Sequence, residues 1–373
     1  MELRISRVHS TVELRRYIHL PAELPGKRSN YVPPIWKDEH VFHDPQRNLE
    51  LNSCRTVRFM AYQDDRAVGR VMGIVHERHN ELHKELSARF YQLDCIEDPS
   101  VAAALLGSVE TWARELGMDR IIGPFGLSDK DPQGVQVEGF EHLPVIATAT
   151  NPAYLPGLIE LQGYAKFTDA VVYRVDVPAV LPELYTRVSE RLLTGGRFRL
   201  LSFTSRRQLK PWVIPVLRLV NETYQDLLGF VTMDESAMRK LADQYLPVLD
   251  PKLVKIVIDE QLHVVAFVVA MPDMSAGIVK ANGRLFPLGW WHILQAMKRT
   301  DQLDLFLGAV RKDVQGRGFT CALGVYLMAA ARERGLTHID SHLVLETNHR
   351  MRAELDRLGG KVWKRYRIYS KAL

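Results

Sequence analysis

Hydrophobic and polar positions along the chain fall into runs with two distinct periods. Strand-like apolar runs cover 57–62 and 67–75, with the polar turn Gln63-Asp64-Asp65-Arg66 between them, a pattern that predicts a hairpin. A second hairpin is predicted from runs at 253–259 and 263–271 flanking Asp259-Glu260. Shorter strands are expected at 90–93, 121–122, 170–175 and 198–203, and longer ones at 338–346 and 362–370. Apolar residues three and four apart predict helices over 12–20, 100–116, 183–193, 213–228, 236–245, 290–299 and 348–358, with another opening in 151–161. Between these lie a proline-rich extended stretch, 21–34, and an irregular segment rich in glycine, proline and acids, 123–139.

The most informative change of period lies between 304 and 335. A short apolar run at 305–310 is followed by the turn Gln315-Gly316-Arg317-Gly318, and then Phe319, Ala322, Leu323, Tyr326, Leu327 and Ala330 recur at helical spacing. This is a strand, a glycine turn and a helix. Glycines there let a ligand approach the backbone closely, and the first unpaired N–H groups of the helix point into the turn. Arg311, Lys312 and Arg317 add positive charge, so the turn is suited to phosphate; an ordinary glycine turn between packed elements is the plain alternative.

The two halves read as one α+β unit written twice. ARELGMDRI at 113–121 parallels ARERGLTHI at 331–339, and the turn at Asp64-Asp65 parallels that at Asp259-Glu260. Asn151 and Asn348 each stand twelve residues before a glycine expected to end a helix, Gly163 and Gly360. The offsets put extra residues near 280–300 in the second half and near 123–144 in the first. The glycine turn occurs in one copy only. The first half has Cys95-Ile96-Glu97-Asp98-Pro99 in its place, where two carboxylates repel phosphate and proline lacks an N–H. Residues 1–178 are therefore expected to be a degenerate unit and 179–373 the ligand-binding one, with the boundary marked by Pro178 and Pro182.

Composition narrows the reading further. With 373 residues, 46% hydrophobic and 25% charged, the chain is an ordinary globular one of two-domain size. A net charge of +5 and a pI near 9.0 favour anionic ligands, yet are too mild to imply nucleic acid. The longest aliphatic run, 264–271, is far too short to span a bilayer, and the first residues carry no apolar signal core. The cytoplasm is the expected compartment, with peripheral contact to an anionic membrane left open. Cys54, Cys95 and Cys321 are odd in number and far apart, so neither disulfides nor a zinc site is expected. His76, His79 and His83 have helical spacing but lack the H-E-x-x-H frame and a carboxylate partner. A polar loop or helix start is expected there, and no metal.

Residues 315–320 resemble the Q/R-x-x-G-x-G/A signature of the GNAT superfamily of acyl-CoA-dependent N-acyltransferases, with Thr320 in place of the small final residue. The resemblance implies two tandem GNAT-like domains, each a mixed, mostly antiparallel sheet flanked by helices. It implies acetyl-CoA or a longer acyl-CoA as co-substrate, held by Val310, Arg311, Lys312, Gln315, Gly316, Arg317, Gly318, Phe319, Thr320 and Asn348. In that family the thioester lies between two splayed strands, where backbone N–H groups face its carbonyl. Glu346 is the first candidate for the base that deprotonates the amine and His342 the second, the two expected on one strand face.

The family's usual acid, a tyrosine before the helix-ending glycine, is replaced here by Leu355 or Asp356. Tyr366, Tyr369 or water then protonates the thiolate. Large apolar residues, among them Tyr224, Phe230, Phe286 and Trp290, are candidates for the acceptor site, together with Asp129 and Asp131; domain-interface core is the alternative for the apolar set, and a solvated turn for the two aspartates. In layout the chain is similar to the tandem N-acyltransferases of sphingolipid-making bacteria, which implies a long-chain, sphingoid-like amine. An aminoacyl-tRNA-dependent transferase of the tandem type and a non-catalytic acyl-CoA-binding protein are the competing readings.

Overall fold

The computed structural model describes residues 2–25, 30–225 and 227–373, so part of the proline-rich stretch and one residue of the helix expected over 213–228 lie outside the described residues. The first half runs β1 (Leu3–Arg7), α1 (Thr11–Glu23), α2 (Trp36–Phe42), β2 (Cys54–Gln63), β3 (Arg66–His76), α3 (Glu77–His83), β4 (Ser87–Cys95), α4 (Pro99–Glu115), β5 (Arg120–Gly123), β6 (Val135–Glu138), α5 (Leu155–Glu160) and β7 (Ala165–Asp176). The second half repeats this order. It comprises α6 (Glu183–Thr194), β8 (Phe198–Ser202), α7 (Arg206–Leu209), α8 (Val213–Thr223), α9 (Glu235–Tyr245), β9 (Val254–Asp259) and β10 (Val264–Pro272). It continues through α10 (Ser275–Ala281), α11 (Gly289–Arg299), β11 (Gln302–Val310), α12 (Phe319–Glu333), β12 (His338–Asp340), β13 (Val344–Leu345), α13 (His349–Arg357) and β14 (Lys361–Ala372).

Both expected hairpins form, β2–β3 and β9–β10, and the extra residues fall where the offsets put them. The second-half insertion is the helical pair α10–α11, standing where the first half has only α3. The first-half insertion is the loop around β6. The strand expected over 338–346 is broken into β12 and β13, because His342 adopts a left-handed backbone with φ 58°. Its sequence alternation gave no sign of that break.

One mixed sheet carries the molecule, in the order β1-β2-β3-β4-β5-β14-β7-β12-β11-β10-β9-β8. The final strand of each half has crossed to the other: β7 lies antiparallel to β12, and β14 antiparallel to β5, with β7 and β14 paired at the centre. The packing follows the exchange. Val171, Tyr173 and Val175 of β7 belong to the core under α12, whereas Tyr369 of β14 belongs to the core under α4. On the opposite faces, α1 and α2 cover the first half, and α8, α9, α10 and α11 cover the second.

Candidate active site

In each half two parallel strands pair over three residues and then part. Strand β4 follows β5 from Ser87 to Arg89, and β11 follows β12 from Gln302 to Asp304. In the first half the resulting gap is filled by the chain itself: the Arg89 guanidinium donates to the carbonyls of Gly126 and Leu127 (2.9 Å each), and Phe125 is buried. In the second half the gap stays open. Beyond Asp304, β11 pairs only with β10, and a bulge leaves Phe306 unpaired between Leu305 and Leu307. The opening leads into a cavity of about 2000 Å³ that runs from the start of α12, between the parted strands, to an apolar chamber under α8 and α9.

The α12 end is built for an anion. Gly316 (φ 78°) and Gly318 (φ 95°) hold a backbone that a side chain would strain, and α12 starts at Phe319 without a side-chain cap. A methyl group on Gly316 would meet open space, whereas one on Gly318 would lie 2.4 Å from Val188 Cγ1. The matching helix α4 is closed by its own residue: the Asp98 carboxylate accepts from the backbone N–H of Ser100 at 2.8 Å. Lys312, Gln315, Gly316, Arg317, Gly318 and Thr320 line the cavity here, with Val310 and Phe319 beneath them. Asn348 also lines it while capping α13 through its acceptance from the Met351 N–H at 3.2 Å. Arg311 does not belong to this group. Its guanidinium is drawn away by Asp313 (2.7 Å) and Asp259 (3.3 Å) and faces a separate small hollow.

Of the two base candidates, one reaches the space between the parted strands and the other does not. His342 lines the cavity, with Nε2 3.2 Å from the Ile146 carbonyl and its ring against Phe306. A carbonyl can only accept, so this contact assigns the proton to Nε2 and leaves Nδ1 an acceptor without a partner among the described residues. Burial lowers the pKa of His342, although Asp340 and the Ile146 carbonyl oppose this, so the ring is neutral near pH 7. Glu346 lies outside the cavity. Past the break at His342 the chain joins β7, where the Glu346 carboxylate pairs with Lys166 (2.8 Å) and accepts from the Asp169 N–H (3.0 Å). Partial burial works to raise its pKa, and these two partners outweigh that and hold it low. Tyr366 is buried on β14, away from the cavity lining; burial raises its pKa, and it is not placed to serve as an acid there.

Under the point where β11 and β12 part lies a group of buried charges that sequence reasoning missed. Lys364 Nζ sits 2.7 Å from Asp340 Oδ2 and donates to the Leu143 carbonyl at 3.1 Å. Asp340 Oδ1 accepts from the backbone N–H of His342 at 2.9 Å, which ties the ion pair to the backbone of that residue. Burial, with the nearby Asp273 and Asp340, pushes the Asp304 carboxyl well above the usual carboxylate range. These residues read as isolated polar positions in otherwise apolar strands, and only the exchanged β14 brings Lys364 to them.

On the acceptor side, Tyr224 lines the cavity and donates to the Gly308 carbonyl on the free edge of β11 at 2.9 Å. Asp129 and Asp131, from the first half, line it as well. Asp131 accepts from the N–H groups of Leu127 (2.7 Å) and Ser128 (3.0 Å), and burial together with Glu50 pushes it up to about 7. Phe230 is buried behind this wall against Tyr224. Phe286 and Trp290 are outside the cavity, on the outer face of the α10–α11 pair, because Ile278, Ile293 and Met297 supply its inner face. The chamber is walled by Val216, Leu217, Val220, Leu241 and Tyr245, residues that sequence reasoning did not name among its apolar acceptor-site candidates. Apolar periodicity reads the same for a filled core and a hollow one.

The metal expectation was decided on spacing, and among the described residues no group of three or more metal-ligating side chains comes together. His76 instead caps α3, accepting from the His79 N–H at 3.2 Å.

This duplicated sheet with one open cleft is the tandem GNAT fold. A tandem GNAT protein from the clavulanic acid biosynthesis pathway superposes with a TM-score of 0.53 over 100% of this chain and 98% of its own, at 12% identity. Over its whole length the chain is also 29% identical to a protein named bacterial ceramide synthase from Caulobacter vibrioides (strain NA1000 / CB15N), covering 98% of it. It is 27% identical to protein YghO of Escherichia coli (strain K12), with 97% of this chain and 93% of that one aligned. No protein-family model matches the chain.

Proposed function

We propose that the protein is an acyl-CoA-dependent N-acyltransferase that moves a long acyl chain from the thioester to a primary amine, the amine itself being long-chain and sphingoid-like. The observation that carries this reading is the continuity of the cavity: phosphate-suited turn, open strand edge, neutral histidine and apolar chamber lie in one space of about 2000 Å³. Pockets for ordinary small ligands occupy roughly 300–1000 Å³. Acetyl-CoA would leave the chamber under α8 and α9 unfilled. A long acyl chain or a long-chain amine accounts for it, and the similarity to a protein named bacterial ceramide synthase supports the same substrate class.

In this reading the N–H groups at 316–320 hold the diphosphate of coenzyme A, with Lys312 and Arg317 beside it. The free edge of β11 presents backbone N–H groups to the oxyanion that forms when the amine nitrogen attacks the thioester carbon. His342 Nδ1 takes the proton from that nitrogen, the C–S bond breaks, and the thiolate departs. With a thiol pKa near ~8.5 the leaving group needs only solvent for its proton. Asp129 and Asp131 face the incoming ammonium and hold it until it gives one proton to solvent, so that His342 takes only the second as the amine attacks.

Thiol release measured with acyl-CoAs of increasing length and a sphingoid amine tests this. We expect kcat/KM to rise by at least about 100-fold between acetyl and long-chain donors, since each buried CH₂ contributes about 0.8 kcal/mol and roughly four of them already suffice for that factor. Leu217→Trp, which shortens the chamber, should shift the optimum to shorter chains. If acetyl-CoA with a small amine is the best pair, the long-chain assignment fails; if CoA binds and no amine releases thiol, the protein is an acyl-CoA-binding protein instead.

A further inference from the structure

The α10–α11 pair has an outer face that the catalytic reading does not use. Phe286 is 75% exposed, Leu288 60%, Trp290 47% and Trp291 45%, with Leu294 and Val279 beside them. Four bases, Lys280, Arg284, Lys298 and Arg299, are exposed on the same pair, and no acidic residue occurs between Asp273 and Asp301. Among the described residues, none of the four has a carboxylate partner. The pair is also held in place. A methyl group on Gly277 would lie 2.6 Å from Ile293 Cα, so the two helices cross closely, and Trp36 Nε1 donates to the Asn282 carbonyl at 2.8 Å. The aromatic residues therefore cannot fold inward to escape water.

We infer that this face is an interfacial membrane anchor that seats the protein on an anionic lipid bilayer. Aromatic and aliphatic side chains at a helix surface, on a segment that carries four bases and no acid, match the chemistry of a headgroup layer, where tryptophan rings lie at the apolar boundary and bases meet phosphates. A second copy of the chain is the poorer occupant. A two-fold contact would set this basic face against itself, and like charges repel. The inner face of the same pair belongs to the core that walls the apolar chamber, so docking brings that chamber next to the layer in which long-chain substrates dissolve. That last consequence rests on the proposed function; the anchor does not, because vesicle binding needs no acyl transfer.

Co-sedimentation of the full chain with vesicles tests the anchor. Phosphatidylcholine vesicles with about 30% phosphatidylglycerol should bind roughly ten-fold more tightly than pure phosphatidylcholine, and the difference should vanish in molar salt. The variant K280Q/R284Q/K298Q/R299Q should bind both vesicle types equally weakly. In the unsubstituted protein, lipids brominated near the headgroup should quench tryptophan emission, and W290F/W291F should lose that quenching while melting at an unchanged temperature. Equal binding to neutral and anionic vesicles, or no quenching, overturns the inference. So does sedimentation equilibrium revealing a dimer that F286S/W290S/W291S dissociates, since the face would then be a protein interface. A protein that binds vesicles but releases no thiol retains the anchor and loses the acyltransferase reading.

Discussion

At the scale of single residues, the site turns on which side chain can accept a proton. Glu346 is already engaged by Lys166 and the Asp169 N–H, whereas His342 lines the cavity and, among the described residues, its Nδ1 has no hydrogen-bond partner. Glu346→Gln should leave kcat within about three-fold and cost about 1 kcal/mol of stability, the worth of a half-exposed pair and one hydrogen bond. His342→Gln should lower kcat by 10²–10⁴, roughly the contribution of a positioned base. The sign of the pH dependence follows from burial. Because the folded pKa of His342 is depressed, its neutral form persists below the usual histidine value of ~6.5. The limb that belongs to His342 should thus lie below neutrality, separate from any change as Asp131 titrates at about 7, and His342→Gln should erase that lower limb in a pH profile of kcat/KM. Sequence reasoning chose both candidates and expected them on one strand face, because it assumed an unbroken strand; only His342 lines the cavity. The left-handed backbone at His342 is what sends Glu346 to β7, and a histidine there carries no turn signal of the kind glycine gives.

Elements were more legible than side-chain geometry, for reasons the α12 turn makes plain. A glycine turn followed by 3–4 apolar spacing specifies strand, turn and helix through local chemistry alone, and α12 starts at Phe319 as the spacing requires. Helix α10 and the hollow under α8 were not legible, since both depend on what packs against them. The turn also offers a direct test of its close fit to α6. Gly318→Ala combines a left-handed backbone with a contact at 2.4 Å to Val188 Cγ1, and should cost about 1–3 kcal/mol. Val188→Ala removes that atom. The double variant should be about 1 kcal/mol more stable than the two single losses predict, measured by urea unfolding. Additive losses would mean that α6 yields freely and that the turn is not braced. Gly316→Ala has open space around it, so it should cost only the strain of its left-handed backbone, about 1 kcal/mol, and, if the turn holds the diphosphate as proposed, should also weaken coenzyme A binding by calorimetry.

For the whole molecule, the duplication was readable in matching peptides and offsets, but the exchange of final strands was not, since nothing local says which sheet a strand will join. The exchange makes each half depend on the other. Cut from its partner, residues 1–178 would carry β7 with Val171, Tyr173 and Val175 exposed, side chains whose core belongs to the second half. Such an unpaired apolar strand promotes aggregation. We expect 1–178 expressed alone to be insoluble, and 1–178 co-expressed with tagged 179–373 to co-purify as a folded complex. The seam between β7 and β14 is fastened by Asp169, whose buried carboxylate meets Arg367 at 2.9 Å and Lys166 at 3.1 Å. Burial alone would raise its pKa, yet those cations outweigh it and lower it. A carboxylate depressed on folding contributes stability that is complete above its unfolded pKa of ~3.9 and is lost as pH falls through the folded value. The split complex should therefore hold at pH 7 and loosen under acid, and Asp169→Asn should weaken it at neutral pH by about 1–3 kcal/mol, less than a fully buried pair because Arg367 still reaches solvent. A soluble, cooperatively melting 1–178 would mean instead that β7 can close its own half, and that the crossing of strands is an accident of linkage rather than the bond between the halves.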